Sequence, residues 1–140
     1  MSKRVSAALR LQIRIRAKFG CEYCLLHEDD ALFPHVPDHI ISLRHHGQTN
    51  IENLAWSCYL CNHLKGCDLA SLDPETGRVI RLFHPRKDRW SEHFRLDGAT
   101  IFPLTAIGRA TAELLELNSW RSIAVRGNLI DAGRYPRLTE

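Results

Sequence analysis

The 140-residue chain has no apolar run approaching the roughly 18 residues that a spanning helix requires, so no membrane partner is expected. It also has no linker rich in Gly, Ser or Pro, no repeat and no low-complexity tract, which argues against a string of modules or a solenoid. The opening stretch "MSKRVSAALRLQIRIRAKFG" has no uninterrupted apolar core, because arginine or lysine breaks every hydrophobic segment. It is therefore not expected to be an export signal. Its lack of acids would suit a mitochondrial leader, but a cysteine pair of structural type follows at once, and a cytoplasmic location is the expectation.

What is present is ordinary for a globular protein: 44% hydrophobic residues, 25% charged and a mean hydropathy of −0.25. The length suits one domain over residues 1–140, able to bury roughly two-thirds of its unfolded surface. Net charge is only +3, yet it is unevenly spread. Lys3, Arg4, Arg10, Arg14, Arg16 and Lys18 precede any acidic residue, and Arg121, Arg126, Arg134 and Arg137 are opposed within residues 119–138 by Asp131 alone. Two basic ends suit a polyanion track, but from charge alone solvated helix faces are the favoured reading.

The cysteines say more. Cys21 and Cys24 form "CEYC", and Cys58 and Cys61 form "CYLC". Each Cys-x-x-Cys knuckle presents two soft ligands from one tight turn, and two knuckles complete the tetrahedron that Zn²⁺ prefers. A redox dithiol is the competing reading, but it needs one pair in a thioredoxin-like strand–helix context. Disulfides are disfavoured by the odd count, with Cys67 left over as a small thiol rather than a ligand. A structural zinc site is expected, contributing on the order of 10–16 kcal/mol to folding.

Between the knuckles, "VPDHIISL" reads as a strand entered through Pro37, and "HHGQTN" as a loop punctuated by Gly47 and Asn50. "IENLAW" is a second short strand or an extended approach, and "CYLCNHLKGCDL" is a short helix closed by Gly66. The inserted unit is strand, loop, strand, helix, and its polar residues gather as Asp38-His39, Asn53 and Asn62.

This pattern resembles HNH endonucleases, over roughly residues 14 to 68. The matching residues are "CEYC", "DHI", the Gly47 loop, "ENL" and "CYLCNHLK". Residues 78–140 form a C-terminal extension whose "RLFHPRKDRWSEHF" and "TAIGRATAELLELN" are similar to the tail of a bacterial HNH subfamily. The resemblance implies an α+β fold: a ββα-metal finger with a four-cysteine zinc staple, an N-terminal helix before it and a strand-plus-helix extension after it. It implies a metal-dependent nuclease acting on DNA and leaving a 5′-phosphate and a 3′-hydroxyl. Carried onto this sequence, Asp38 and Asn62 match ligands of a catalytic Mg²⁺ or Mn²⁺, His39 matches the general base, and Asn53 matches a loop brace. "HIIS" departs from the frequent "HIxP" by lacking a proline that would stiffen the strand end.

The chemistry is consistent with those residue types. A hard cation takes carboxylate and amide oxygens while keeping several waters. Neutral imidazole, with an ordinary pKa near 6.5, accepts a proton from water at physiological pH. Lys65 lies one turn beyond Asn62 on the same face, where a phosphate contact is expected, and Arg10, Arg14 and Lys18 are expected to contact the DNA backbone. Taken singly, each residue has a plainer role: Asp38 a turn cap, His39 a hydrogen-bonded histidine, Asn53 a turn end, Asn62 a helix surface residue. A zinc-stapled nucleic-acid-binding module without cleavage activity is the alternative. Asp38 and His39 are adjacent, and strand neighbours point to opposite faces. Joint action on one phosphate thus needs irregular backbone near Pro37 or a His39 that reaches round.

In the flanks, Ser6 is a candidate cap for a helix over "AALRLQIRIRAKF", although the alternation in "LQIRIRA" would also suit a strand; "DPETG" is a turn and "RVIRLF" a strand. "ATIFPL" is expected to pair with that strand, Trp90 and Phe94 to pack over the zinc lobe, and Thr105 to cap an amphipathic helix. "SWRSIAVRGNLI" reads as a last helix ending near Gly127 or Gly133.

Overall fold

The computed structural model describes residues 4–137, so Lys3 of the basic N-terminal run lies outside the described residues. Helix α1, Ala7–Arg16, begins as expected at Ser6, whose Oγ accepts the Leu9 N–H at 3.1 Å. Arg14 and Arg16 fall in its last turn, where cations complement the helix dipole.

Strands β1 (Val36–His39) and β2 (Leu54–Ser57) form an antiparallel pair that puts His39 opposite Leu54 and Asp38 opposite Ala55. Alternation then sorts the two faces. Leu54 and Trp56 pack on Ile13 of α1, and His39 shares that side; Ala55 joins the other core with the cysteines, and Asp38 points there too. β1 is shorter than its apolar sequence implies. Beyond His39 the partner chain turns into a 3₁₀ turn at Ile51–Asn53, and the Asn53 side chain takes over the pairing of Ile41.

Helix α2, Tyr59–Lys65, is capped by the Cys58 sulfur, which accepts the Cys61 N–H at 3.3 Å. It ends at Gly66, whose φ of 54° falls in the region that glycine tolerates. These three elements make the expected strand–strand–helix finger.

The extension follows a different pairing from that expected. β3 (Ala70–Leu72) pairs with β4 (Val79–Arg81), and β5 (Phe94–Asp97) pairs with β6 (Thr100–Pro103). "ATIFPL" therefore joins β5, its immediate predecessor. Gly98, with φ 58°, makes a two-residue hairpin between Asp97 and Thr100, and so short a turn pairs consecutive strands directly. A one-turn helix α3 (Trp90–His93) precedes β5, and α4 (Ala106–Leu114) starts at Thr105 as expected. The last helix, α5, runs Trp120–Asp131 through Gly127 and gives way near Gly133. Phe94, Phe83, Ile101, Leu115 and Leu117 form one buried cluster with Cys21, Cys58 and Cys61, with Trp90 at its edge. The aromatic pair therefore packs over the sulfur lobe.

Candidate active site

The four knuckle sulfurs lie within 4.8 Å of one another, and Cys24 and Cys58 are 3.7 Å apart. A tetrahedron with Zn–S bonds of about 2.3 Å has edges of roughly 3.8 Å, so the cage has the size zinc needs. All five cysteines are unpaired, and Cys67 is exposed away from the cage. Full burial pushes the Cys21 thiol up, but hydrogen bonds from Cys24, Cys58 and Cys61 pull it well below its ordinary value. Cys24 and Cys61 are driven well above theirs, chiefly by their hydrogen bonds to Cys21. Four sulfurs converging on one point fit a zinc site and not a lone redox dithiol.

Beside the cage, β1 and α2 bring Asp38 and Asn62 together. Asp38 is 2% exposed, and its Oδ1 lies 3.2 Å from Asn62 Nδ2. Its Oδ2 accepts the Tyr23 hydroxyl at 2.7 Å. Lys65, also 2% exposed, places Nζ 3.3 Å from Oδ2 and 3.5 Å from Oδ1. Burial pushes the Asp38 carboxyl up, against the pull of the Lys65 ammonium and the bonds from Tyr23 and Asn62. The Tyr23 phenol is pushed well up by its burial and by Asp38, so it stays a donor.

Lys65 is not where a phosphate could meet it. Its ammonium also donates to the carbonyls of His39 (3.2 Å) and Ile40 (3.1 Å), so all three protons are spent tying α2 to the end of β1. The expectation of a surface lysine is replaced by an internal clamp. A buried ammonium needs such acceptors, and β1 supplies them where its ladder has ended.

The donor set at Asp38 and Asn62 suits a hard cation. Cis ligands on an octahedral ion at about 2.1 Å lie about 3.0 Å apart, close to the observed separation of 3.2 Å. A half-turn of the Asn62 carboxamide brings its oxygen to the position of Nδ2. Asn62 is only partly buried, which leaves an approach on its side.

His39 lies on the other face of a regular β1, so irregular backbone is not how the two neighbours would cooperate. The ring is half-buried, and its Nε2 is 2.9 Å from Thr49 Oγ1. Desolvation lowers its pKa, with Asp38 pulling upward and Lys65 downward, and the balance favours the neutral imidazole. Asn53 does bridge the loop between the strands: Oδ1 accepts the Ile41 N–H at 2.9 Å, and Nδ2 donates to Ile41 O (2.9 Å) and Gln48 O (2.8 Å). Gly47 follows from the same closure, because a Cβ there would lie 1.7 Å from Ile41 O.

Of the expected phosphate contacts, Arg10 stacks over Trp56 and donates to His35 O, and Arg14 is paired with Glu28 at 2.8 Å. Lys18 is exposed just past α1. His45 and His46 stand exposed on the loop, and His63 stacks on Tyr59, turned away from Asn62. Glu22 and Tyr23, which separate the two cysteines of the first knuckle, have no role that the sequence reveals. Glu22 instead accepts the Trp56 N–H and pairs with Arg86, and Tyr23 reaches Asp38. The one available signal was polar residues between close-spaced ligands, whose side chains have to point outward from the cage.

A small antiparallel pair, a crossing helix and a sulfur cage at their base define a zinc-stapled ββα finger. Residues 21–67, the segment that holds both knuckles, β1, β2 and α2, match the family model of HNH endonucleases. No curated protein and no solved structure matches the chain significantly. Among the described residues no helix is long and apolar enough to cross a membrane.

Proposed function

We propose that the chain is a metal-dependent endonuclease that hydrolyses phosphodiester bonds in DNA. The carrying observation is the meeting of Asp38 and Asn62, from β1 and α2, at 3.2 Å on a segment that matches the HNH family. Held by Asp38 Oδ1 and, after a half-turn of the carboxamide, by the Asn62 oxygen, Mg²⁺ or Mn²⁺ would neutralise charge on the phosphate and on the departing 3′-oxygen. The protein's own residues do the rest. His39, kept neutral by partial burial, takes the proton from the attacking water. In the tautomer whose Nε2–H donates to Thr49, Nδ1 carries the lone pair that accepts it. Asn53 fixes the loop that carries Thr49 and thereby the ring's aim. Arg10, Arg14 and Lys18, from α1 and its end, serve as backbone contacts on the His39 side. Five unpaired cysteines suit a reducing compartment, and the cytoplasm is the proposed location.

One observation favours a second reading. The Lys65 ammonium already neutralises Asp38, which suits a zinc-stapled DNA-binding module without cleavage. Supercoiled plasmid incubated with Mg²⁺ or Mn²⁺ decides between them. Nicking that vanishes in His39→Ala, with zinc content and thermal unfolding unchanged, supports the nuclease. Retained DNA binding with no nicking in any divalent metal supports the binder.

A further inference from the structure

Tyr23 lies between the two ligands of the first knuckle, and its ring is 1% exposed. Its position follows from the cage. The Glu22 N–H donates to Trp56 O at 2.8 Å, the Trp90 indole donates to Tyr23 O at 2.9 Å, and Phe83 packs edge-on against the ring. The hydroxyl at the end of that mount donates to Asp38 Oδ2.

The Asp38 carboxylate has three donors, and they do different things. Lys65 lies at nearly the same distance from both oxygens, 3.3 and 3.5 Å, so its charge does not select one of them. Asn62 meets Oδ1 from the partly open side. Only Tyr23 is neutral, rigidly mounted and specific for Oδ2. A neutral donor can orient a carboxylate without repelling a second cation, which another ammonium would do.

We propose that Tyr23 is a positioning residue that couples the zinc cage to the catalytic cation, pinning Oδ2 so that Oδ1 is turned toward the ion shared with Asn62. The inference rests on the reading of Asp38 as a ligand of that ion. It gives the zinc staple a role beyond folding, because the knuckle that binds sulfur-side metal also sets the aim of the oxygen-side ligand. Loss of an outer-shell partner generally weakens metal binding by about 10–100-fold.

The test is Mn²⁺ affinity measured by electron paramagnetic resonance on the full chain, with zinc content and thermal unfolding in parallel. Tyr23→Phe is expected to bind Mn²⁺ about tenfold more weakly at full zinc occupancy, and excess Mn²⁺ is expected to restore plasmid nicking, which a general structural defect would not allow. An unchanged Mn²⁺ affinity overturns the proposal. Asp38→Ala separates this failure from that of the underlying reading. If its Mn²⁺ affinity is also unchanged, Asp38 is no ligand and both fall; if it alone loses Mn²⁺, only the role of Tyr23 falls. Should Tyr23→Phe lose zinc, the unaltered protein decides. On Mg²⁺ titration the Tyr23 ring carbon bearing the hydroxyl should shift in the NMR spectrum along the binding isotherm. The same carbon of Tyr135, whose hydroxyl is bonded to Cys24 O at 2.7 Å, should stay still. A motionless Tyr23 signal at Mg²⁺ saturation overturns the coupling.

Discussion

Replacing Asn53 by alanine removes three side-chain hydrogen bonds at once: one from the Ile41 N–H and two to the carbonyls of Ile41 and Gln48. At about 1 kcal/mol net for each bond, the total is about 3 kcal/mol, trimmed to about 2–3 because water can reach part of the opened loop. Ile41 is itself 39% exposed, which is why the full desolvation penalty does not apply. For a chain of this length each kcal/mol lowers Tm by roughly 4 °C, so a fall of about 10 °C is expected. Asn53→Asp should be no better. It keeps the acceptor for Ile41 N–H but sets a carboxylate oxygen against two carbonyls. The assay is thermal and urea unfolding with zinc held saturating, combined with hydrogen exchange at the Ile41 amide. A loss below about 1 kcal/mol with Ile41 protection unchanged would refute the idea that Asn53 carries this closure.

Three further outcomes follow from the same geometry. Gly47→Ala puts a methyl 1.7 Å from Ile41 O and 2.9 Å from Asn53 Nδ2, so the loop must open; melting and nicking should both fall at least as far as in Asn53→Ala, and a wild-type melt would count against the packing. Chelating zinc should abolish the cooperative unfolding transition, since the sulfur cage lies inside the main core; a chelated protein that keeps its near-ultraviolet circular dichroism would count against a structural metal. The His39 pKa is lowered by desolvation, and the base acts when neutral, so nicking should rise with pH through a midpoint below the ordinary 6.5 and then level off. A bound cation shifts the midpoint further down, so a midpoint above 7 would remove His39 from the role of base.

How much of this was legible in the chain depends on the reach of each signal. Ligand spacing is local, so Cys21, Cys24, Cys58 and Cys61 were readable as a cage. Caps are local too, and Ser6 and Thr105 start their helices as read. The pairing of β6 was not, because two alternating strands do not say which neighbour they join; the Gly98 turn decided it. The burial of Lys65 is illegible for a related reason. Its three acceptors come from residues 38, 39 and 40, and nothing in "NHLKG" records that β1 would bring them. Tyr23 was hidden by its neighbours, since residues between cysteines pass for spacers until the fold shows where they point.

The far end of the chain is fastened beside the first knuckle: the Tyr135 hydroxyl is bonded to the Cys24 carbonyl, and Arg134 and Arg137 grip Asp30. Emptying the sulfur cage should therefore release a segment more than a hundred positions away. Trypsin sites after those two arginines become a built-in gauge of metal loading, cut quickly in stripped protein and slowly in loaded protein. The mass of the trimmed chain, shorter by six or three residues, would read out zinc occupancy.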